Sequence, residues 1–364
     1  MEKQKGRKPA IFIEANTLPE AMDRAILEVW EKGISVPTHY DKPGDPPSKE
    51  ATVIMNITNP LNEPRIYKNF PGGAKELENY RLEVVHGIHN YWIEPGSTKW
   101  TYTYNERFTD YQPSEDLNAK DRGILLSRKK VLDYAIKNQF ANITGSNIQK
   151  ELIDGNFNIP PVNQIEKILD DLQRDITSKG AQATTWMPTA DPGLESNRPC
   201  LQRIWLRPLE AEIDGKPGYL LNMDVHFRSR DGYKAAYMNM YGLSDWQRVI
   251  AKQLENRLQK PVGVGSYFDL SDSWHIYGSY FNKDTGTKDA FEKSIERMKA
   301  SSWENRAMDS NDKDTEMHES FVEARHEIAA QLDYEKRIGN KGTVDPELSS
   351  EEVKNFPYPK EWDE

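Results

Sequence analysis

The chain has 364 residues, with 48 Lys and Arg against 58 Asp and Glu for a formal charge of -10. That balance argues against a general affinity for phosphate polymers, so DNA binding is not expected. A mean hydropathy of -0.82 and the lack of any apolar run near the ~20 residues needed to cross a bilayer exclude a transmembrane helix and any membrane partner. The single cysteine, Cys200, rules out internal disulfides and a structural zinc site built on thiols. The opening MEKQKGRKPAIFIEAN is basic but has no sustained apolar stretch, so the expected location is cytoplasmic.

Residues 17 to 33 form the first clear element. Thr17 and Glu20 have capping-box spacing, Met22, Ala25, Ile26, Val29 and Trp30 share one helical face, and Gly33 marks the end. A Pro- and Gly-rich loop follows, and ATVIMNI reads as a strand. The spacing of Leu77, Tyr80, Val84, Ile88 and Tyr91 predicts a helix over 74–92 with Glu83 near its apolar stripe. Residues 110–160 turn polar and read as a helical insertion. After it come a helix in VNQIEKILDDLQRDI, strands in AQATTW, LQRIWLRPL and GYLLNMDVHFRSR, a helix from Tyr237 to Leu258, and a further strand in PVGVGSYFDLSDSWHIYGSYF. Residues 285–364 are charged helices with little apolar surface and a partly ordered tail, FPYPKEWDE. Helices and strands mixed without strict alternation give an α+β class, here one domain over 1–364 with the insertion and the extension as elaborations.

Three clusters carry possible chemistry. A lone thiol such as Cys200 is commonly an inert small hydrophobe; as a nucleophile it needs cations nearby, since only the thiolate attacks. Arg228, Ser229, Asp231 and Asn239 bring a guanidinium, a hydroxyl, a carboxylate and an amide to one strand-to-helix corner. They are either a solvated strand end or groups for a nucleotide's phosphate and base edge. His275 and Tyr277 lie two apart on one strand face and are either a core pair or a grip on a sugar hydroxyl.

Taken together, Pro199-Cys200, Arg228-Ser229-x-Asp231 with Asn239 eight residues on, and His275-x-Tyr277 resemble the thymidylate synthase family and its pyrimidine nucleotide hydroxymethylase relatives. Glu83 and Tyr104 resemble the family's helical glutamate and active-site tyrosine. The resemblance implies a bent mixed β-sheet with flanking helices, a homodimer made by packing sheet faces, and transfer of a one-carbon unit from 5,10-methylenetetrahydrofolate to C5 of a pyrimidine nucleoside monophosphate. It calls for no metal or flavin. By that analogy Cys200 adds to C6, and Arg228 and Ser229 hold the phosphate and help ionise the thiol. Asn239 reads the base, His275 and Tyr277 the ribose, Asp231 contacts the pterin, and Glu83 and Tyr104 organise water and protons.

The chain also departs from the family. Leu201 stands after the nucleophile where a histidine is usual, giving PCLQ. Lys179 and Gly180 replace the arginine pair of the partner-subunit phosphate clamp, Lys42 falls near the mobile-loop arginine, and no closing tail is recognisable. Asn239 favours a uracil base, so dUMP methylation is expected first, with hydroxymethylation of dUMP, dCMP or CMP as the alternative. A family member without catalysis, acting as a nucleotide- or RNA-binding scaffold, is the reading from another class. A cysteine hydrolase using His226 or His275 is the least supported.

Overall fold

The computed structural model describes residues 6–93, 101–111, 162–187, 191–193, 198–282, 287–310, 316–339 and 342–363. The sequence-predicted insertion over 110–160 falls almost entirely outside these. The first helix forms where capping chemistry places it. It runs Leu18–Lys32 (α1), with the Thr17 side chain accepting from the Glu20 amide and Gly33 ending it. Its buried stripe of Ala21, Met22, Ala25, Ile26 and Val29 lies in the main core.

Before α1 comes a strand that the sequence reading passed over, Ala10–Ala15 (β1), whose Ile11 and Ile13 are buried while Phe12 is 61% exposed. Six residues of strict alternation are enough for a strand with one face in the core. Next come Ile34–Val36 (β2), Ser48–Ile57 (β3) and Ile66–Tyr67 (β4). A helix over Ala74–His86 (α2) follows, shorter than the pattern to residue 92 suggests. Gly87 adopts φ 62, the left-handed region, and stops α2 with its N–H on the Glu83 carbonyl. A Cβ there would fall 2.4 Å from the Asn105 side-chain oxygen, so the stop is also a close approach. The remaining elements are Tyr104–Thr109 (α3), Gln164–Arg174 (α4), Gln182–Thr184 (β5), Leu201–Ile213 (β6), Lys216–Phe227 (β7), Arg230–Asp231 (β8), Ala236–Leu258 (α5), Val262–Ile276 (β9), Thr287–Ala300 (α6), Ala307–Met308 (β10), Glu316–Ile338 (α7) and Ser350–Lys354 (α8).

The sheet is mixed, in the order β1-β3-β9-β7-β6-β5 with β2 beside β3 and β8 beside β9. β1 is parallel to β3 and β7 to β9, and the other pairs along this order are antiparallel. Register shifts at Ala51/Val53, Leu201/Arg203 and Leu221/Met223 bend it. The chain is therefore α+β, with flanking helices α1 and α5 on the sheet and α2 against α5. No helix among the described residues is long and apolar enough to cross a membrane.

The carboxyl-terminal region is more than the polar appendage suggested by its composition. α7 packs on α2, and Leu82 joins Ala324, Ile328, Ala329, Leu332 and Trp362 in a second buried cluster. The tail expected to be partly ordered is tied down. Trp362 is 5% exposed, and its carbonyl accepts from Arg81, which also pairs with Glu78 at 2.7 Å and Asp245 at 2.9 Å. The apolar periodicity was diluted because this helix buries one narrow stripe and satisfies its charged residues through ion pairs.

Where β8 meets the end of β9, Gly232 donates its N–H to the His275 carbonyl at 2.8 Å, and a Cβ on it would sit 2.3 Å from the Trp274 ring. Gly232→Ala should therefore lower the urea unfolding free energy by about 1–3 kcal/mol through overpacking. An unchanged unfolding midpoint would show that the Trp274 ring is free to move.

Candidate active site

The carboxyl ends of the parallel strands β7 and β9, with the start of β6 beside them, bring the conspicuous motifs to one place. Cys200 precedes β6, and its carbonyl accepts from the Arg228 N–H at 2.9 Å just past the end of β7. The short β8 pairs Arg230 with Trp274 and Asp231 with His275 on β9. The first turn of α5 supplies Asn239, α2 supplies Tyr80 and Glu83, and the segment entering α3 supplies Tyr102 and Tyr104. A cavity of about 730 Å³ lies between them, lined by Cys200, Arg228, Ser229, Asp231, Asn239, His275, Tyr277, Glu83 and Tyr104 among others. That size suits a small-molecule ligand. Of the residues singled out from sequence for nucleotide and folate chemistry, Lys42 and Lys179 are not among those lining it, nor is His226, whose Nε2 lies 2.9 Å from Asp272. Lys42 is exposed on the loop beside Tyr40, and Lys179 is exposed with its carbonyl accepting from the Trp205 indole at 3.0 Å.

The thiol is held by the guanidinium expected to serve the ligand. Arg228 donates through Nε to the Pro199 carbonyl and through Nη2 to the Arg198 carbonyl, both at 2.9 Å, and Nη2 lies 3.8 Å from the Cys200 Sγ. Two of its donors thus fix the loop that carries Cys200. Burial nevertheless pushes the thiol above its ordinary pKa, with Arg228 and Arg230 opposing it and losing. Arg228 acts in the direction expected from the sequence, favouring the thiolate, but desolvation is the larger effect.

Arg230, the unassigned residue of the Arg-Ser-x-Asp motif, is 2% exposed and pairs with Asp269 at 2.5 Å. Its Nη2 donates to the Ala236 carbonyl at 3.0 Å and its Nε to Asn239 Oδ1 at 3.3 Å. A guanidinium can only donate, so it fixes which end of the Asn239 amide is oxygen. The other end, Nδ2, donates to the Tyr80 hydroxyl at 2.6 Å. In the sequence, Tyr80 is one member of the apolar stripe of α2. The available signal was its spacing of three from Glu83, which puts both on one helical face.

His275 is 5% exposed, with Nδ1 3.2 Å from the Ser273 carbonyl. Its Nε2 is buried without a partner among the described residues. Burial lowers the imidazole pKa, with the Asp231 carboxylate working against the shift, so the ring is neutral near pH 7 and its free nitrogen is available to a ligand. Tyr277 packs edge-on to that ring at 4.4 Å. Asp231 accepts at Oδ1 from the Tyr233 and Lys234 amides at 3.0 Å and at Oδ2 from the Tyr280 hydroxyl, so a further contact must use its remaining lone pairs.

Tyr104 accepts the Leu201 N–H at 3.2 Å, and burial raises its phenol pKa far up, as it does for Tyr80 and Tyr102. All three phenols therefore stay protonated and keep an O–H to donate. Glu83 Oε2 lies 2.7 Å from His89 Nδ1. The structure thus presents a thiol, three arginines, a fixed amide, an open imidazole nitrogen and two carboxylates around one cavity.

No family model matches the chain. It is 23% identical over 272 residues to a protein of Methanocaldococcus jannaschii provisionally named thymidylate synthase, an alignment spanning 73% of this chain and 90% of that one. A Methanosarcina acetivorans protein of the same provisional name is 23% identical over 270 residues, covering 73% and 89%. One from Methanosarcina barkeri is 33% identical over 116 residues, or 32% of this chain and 46% of its own length. Among solved structures, thermostable thymidylate synthase A from Bacillus subtilis aligns at a TM-score of 0.46 and 14% identity, covering 77% of this chain and 84% of that one.

Cys200 is the only thiol, so alkylation by iodoacetamide reports it alone. The rate should rise with pH through a midpoint above that of free cysteine, and Arg228→Ala should move that midpoint higher by removing a cation that favours the thiolate. A wild-type midpoint below that of free cysteine would contradict the dominance of burial.

Proposed function

We propose that this chain, a divergent member of the thymidylate synthase-like family, transfers a one-carbon unit from 5,10-methylenetetrahydrofolate to C5 of a pyrimidine nucleoside monophosphate, with dUMP the first choice. The observation that carries the reading is the convergence of Cys200, Arg228, Ser229, Asn239 and His275 on one cavity. C5 of a uracil is a poor nucleophile until C6 is saturated. A thiolate adding to C6 moves an electron pair toward C5, which then attacks the folate methylene.

Each residue has a part in that sequence. Because burial raises the Cys200 thiol, the attacking thiolate must be generated as the substrate binds. The Arg228 Nη1, which has no protein partner among the described residues, and the Ser229 hydroxyl suit the nucleotide phosphate. Asn239 Oδ1, oriented by Arg230, accepts from uracil N3–H, and Nδ2 donates its second hydrogen to O4. Cytosine offers the opposite donor and acceptor order along that edge, so a fixed amide favours uracil. The unpartnered His275 Nε2 suits a ribose hydroxyl together with Tyr277. Glu83 and the protonated Tyr104 hold water for removal of the C5 proton, and Asp231 faces the pterin.

The step that follows loss of the C5 proton divides two products. Hydride from the reduced folate gives a methyl group and dihydrofolate, whereas water gives a hydroxymethyl group and leaves tetrahydrofolate. Exclusion of water decides between them. Three half-buried tyrosines, Tyr80, Tyr102 and Tyr104, and Met238 on the cavity wall support methylation. Hydroxymethylation is the second reading, favoured by the fact that none of the cavity-lining residues comes from 285–364.

A homodimer accords with the second face of the sheet, where Phe12 is 61% and Leu209 52% exposed. Lys179 then reaches the partner's phosphate site, and Lys42 caps the cavity from its loop.

Incubation with dUMP and methylenetetrahydrofolate should yield dihydrofolate and thymidylate, and Cys200→Ser should abolish turnover. Hydroxymethyl product with tetrahydrofolate would select the second reading, and undiminished turnover by the Cys200→Ser protein would refute both. Lys179→Ala should weaken dUMP binding about tenfold, the value of one charge-assisted contact, with no change in melting temperature. Unchanged affinity would remove Lys179 from the site.

A further inference from the structure

The carboxyl-terminal helix α7 holds α2 through the Arg325–Glu78 and Glu327–Lys75 ion pairs, and holds the turn after α2 through Glu335. Glu335 is 2% exposed. Its Oε2 accepts from the Trp92 indole N–H at 3.0 Å and from the Tyr91 hydroxyl, and its Oε1 accepts from Gln331 and the Gly342 amide. The Trp92 ring lies on the His89 imidazole, with centroids 3.9 Å apart and planes 19° from parallel. His89 is itself 1% exposed, and its Nδ1 is 2.7 Å from Glu83 Oε2. A continuous path of contacts therefore runs from α7 to the carboxylate on the cavity wall.

The path consists of fully formed interactions at each stage. A carboxylate that accepts four donors fixes the Trp92 indole in its plane, and a stacked ring cannot rotate without losing its contact. The imidazole then has one orientation in which Nδ1 faces Glu83. Neither Glu335 nor Trp92 lines the cavity, so their effect on chemistry has to pass through Glu83.

We propose that Glu335, Trp92 and His89 are positioning residues that hold the Glu83 carboxylate at its working place, which makes the carboxyl-terminal helix part of the catalytic apparatus. The inference rests on the proposed role of Glu83 as organiser of water at C5.

The test compares Glu335→Gln, the milder Trp92→Phe, and His89→Phe, all as full chains whose folding is checked by circular dichroism. The amide of Glu335→Gln offers a single acceptor oxygen for four donors, while Trp92→Phe keeps the stack and removes the indole donor. His89→Phe should lower kcat by about a hundredfold, the cost of a misplaced catalytic group, with the KM for dUMP unchanged. Glu335→Gln and Trp92→Phe should lower kcat in the same pattern. His89→Phe placed on Glu83→Gln should cost nothing further, since residues acting through one group are not additive.

Additive losses in the double variant, or a lowered melting temperature with kcat intact, would overturn the proposal and leave the Cys200 chemistry standing. Full turnover by Glu83→Gln would overturn both the role of Glu83 and this inference. A readout independent of turnover comes from ¹⁵N resonances of the His89 ring. They should shift in Glu335→Gln, and unchanged resonances would break the path between α7 and His89 whatever the enzyme proves to catalyse.

Discussion

The buried ion pair between Arg230 and Asp269 is the constraint around which the candidate site is built. Both side chains are essentially excluded from solvent and lie 2.5 Å apart. Tyr267 and Ser271 donate to the carboxylate, and the guanidinium gives its other donors to the Ala236 carbonyl and Asn239. Removing one member of such a pair typically costs about 3–5 kcal/mol because the other charge is stranded. That pair joins β8, β9 and the first turn of α5, the three elements that carry Asp231, His275 and Asn239. It also places a positive charge near Cys200 that favours the thiolate.

The arrangement divides labour between two arginines that are two residues apart. Arg230 gives its donors to protein groups and orients the Asn239 amide. Arg228 is half committed, with two donors on the cysteine loop and its third nitrogen left over. The thiol they flank remains above its ordinary pKa because burial outweighs both. A protonated resting thiol is less prone to stray oxidation or alkylation.

Much of this was legible in the sequence where a pattern is local. The capping of α1 by Thr17 and the strand β7 depend on near neighbours, and the structure carries both, while the motif residues from Cys200 to Tyr277 line one cavity. Arg230 was not legible as a site residue. Its role depends on Asp269, thirty-nine residues away on β9. Tyr80 looked like core because a phenol covers an apolar stripe as well as phenylalanine does, and only α5 reveals what its hydroxyl meets. The carboxyl-terminal region was hidden for a related reason. Its helix is charged on most sides, yet Glu335, Arg325 and Trp362 are satisfied or buried by partners on α2 and the turn after it.

The central claim is a covalent bond between Cys200 and C6 of a pyrimidine nucleotide. A nucleotide bearing fluorine at C5 tests it most directly, because fluorine cannot leave as the proton does and the adduct stalls. Mass spectrometry of the denatured protein after incubation with 5-fluoro-dUMP and methylenetetrahydrofolate should show one added nucleotide and one added folate unit, both on the peptide that contains Cys200. An unmodified mass, or an adduct on any other peptide, would contradict the account.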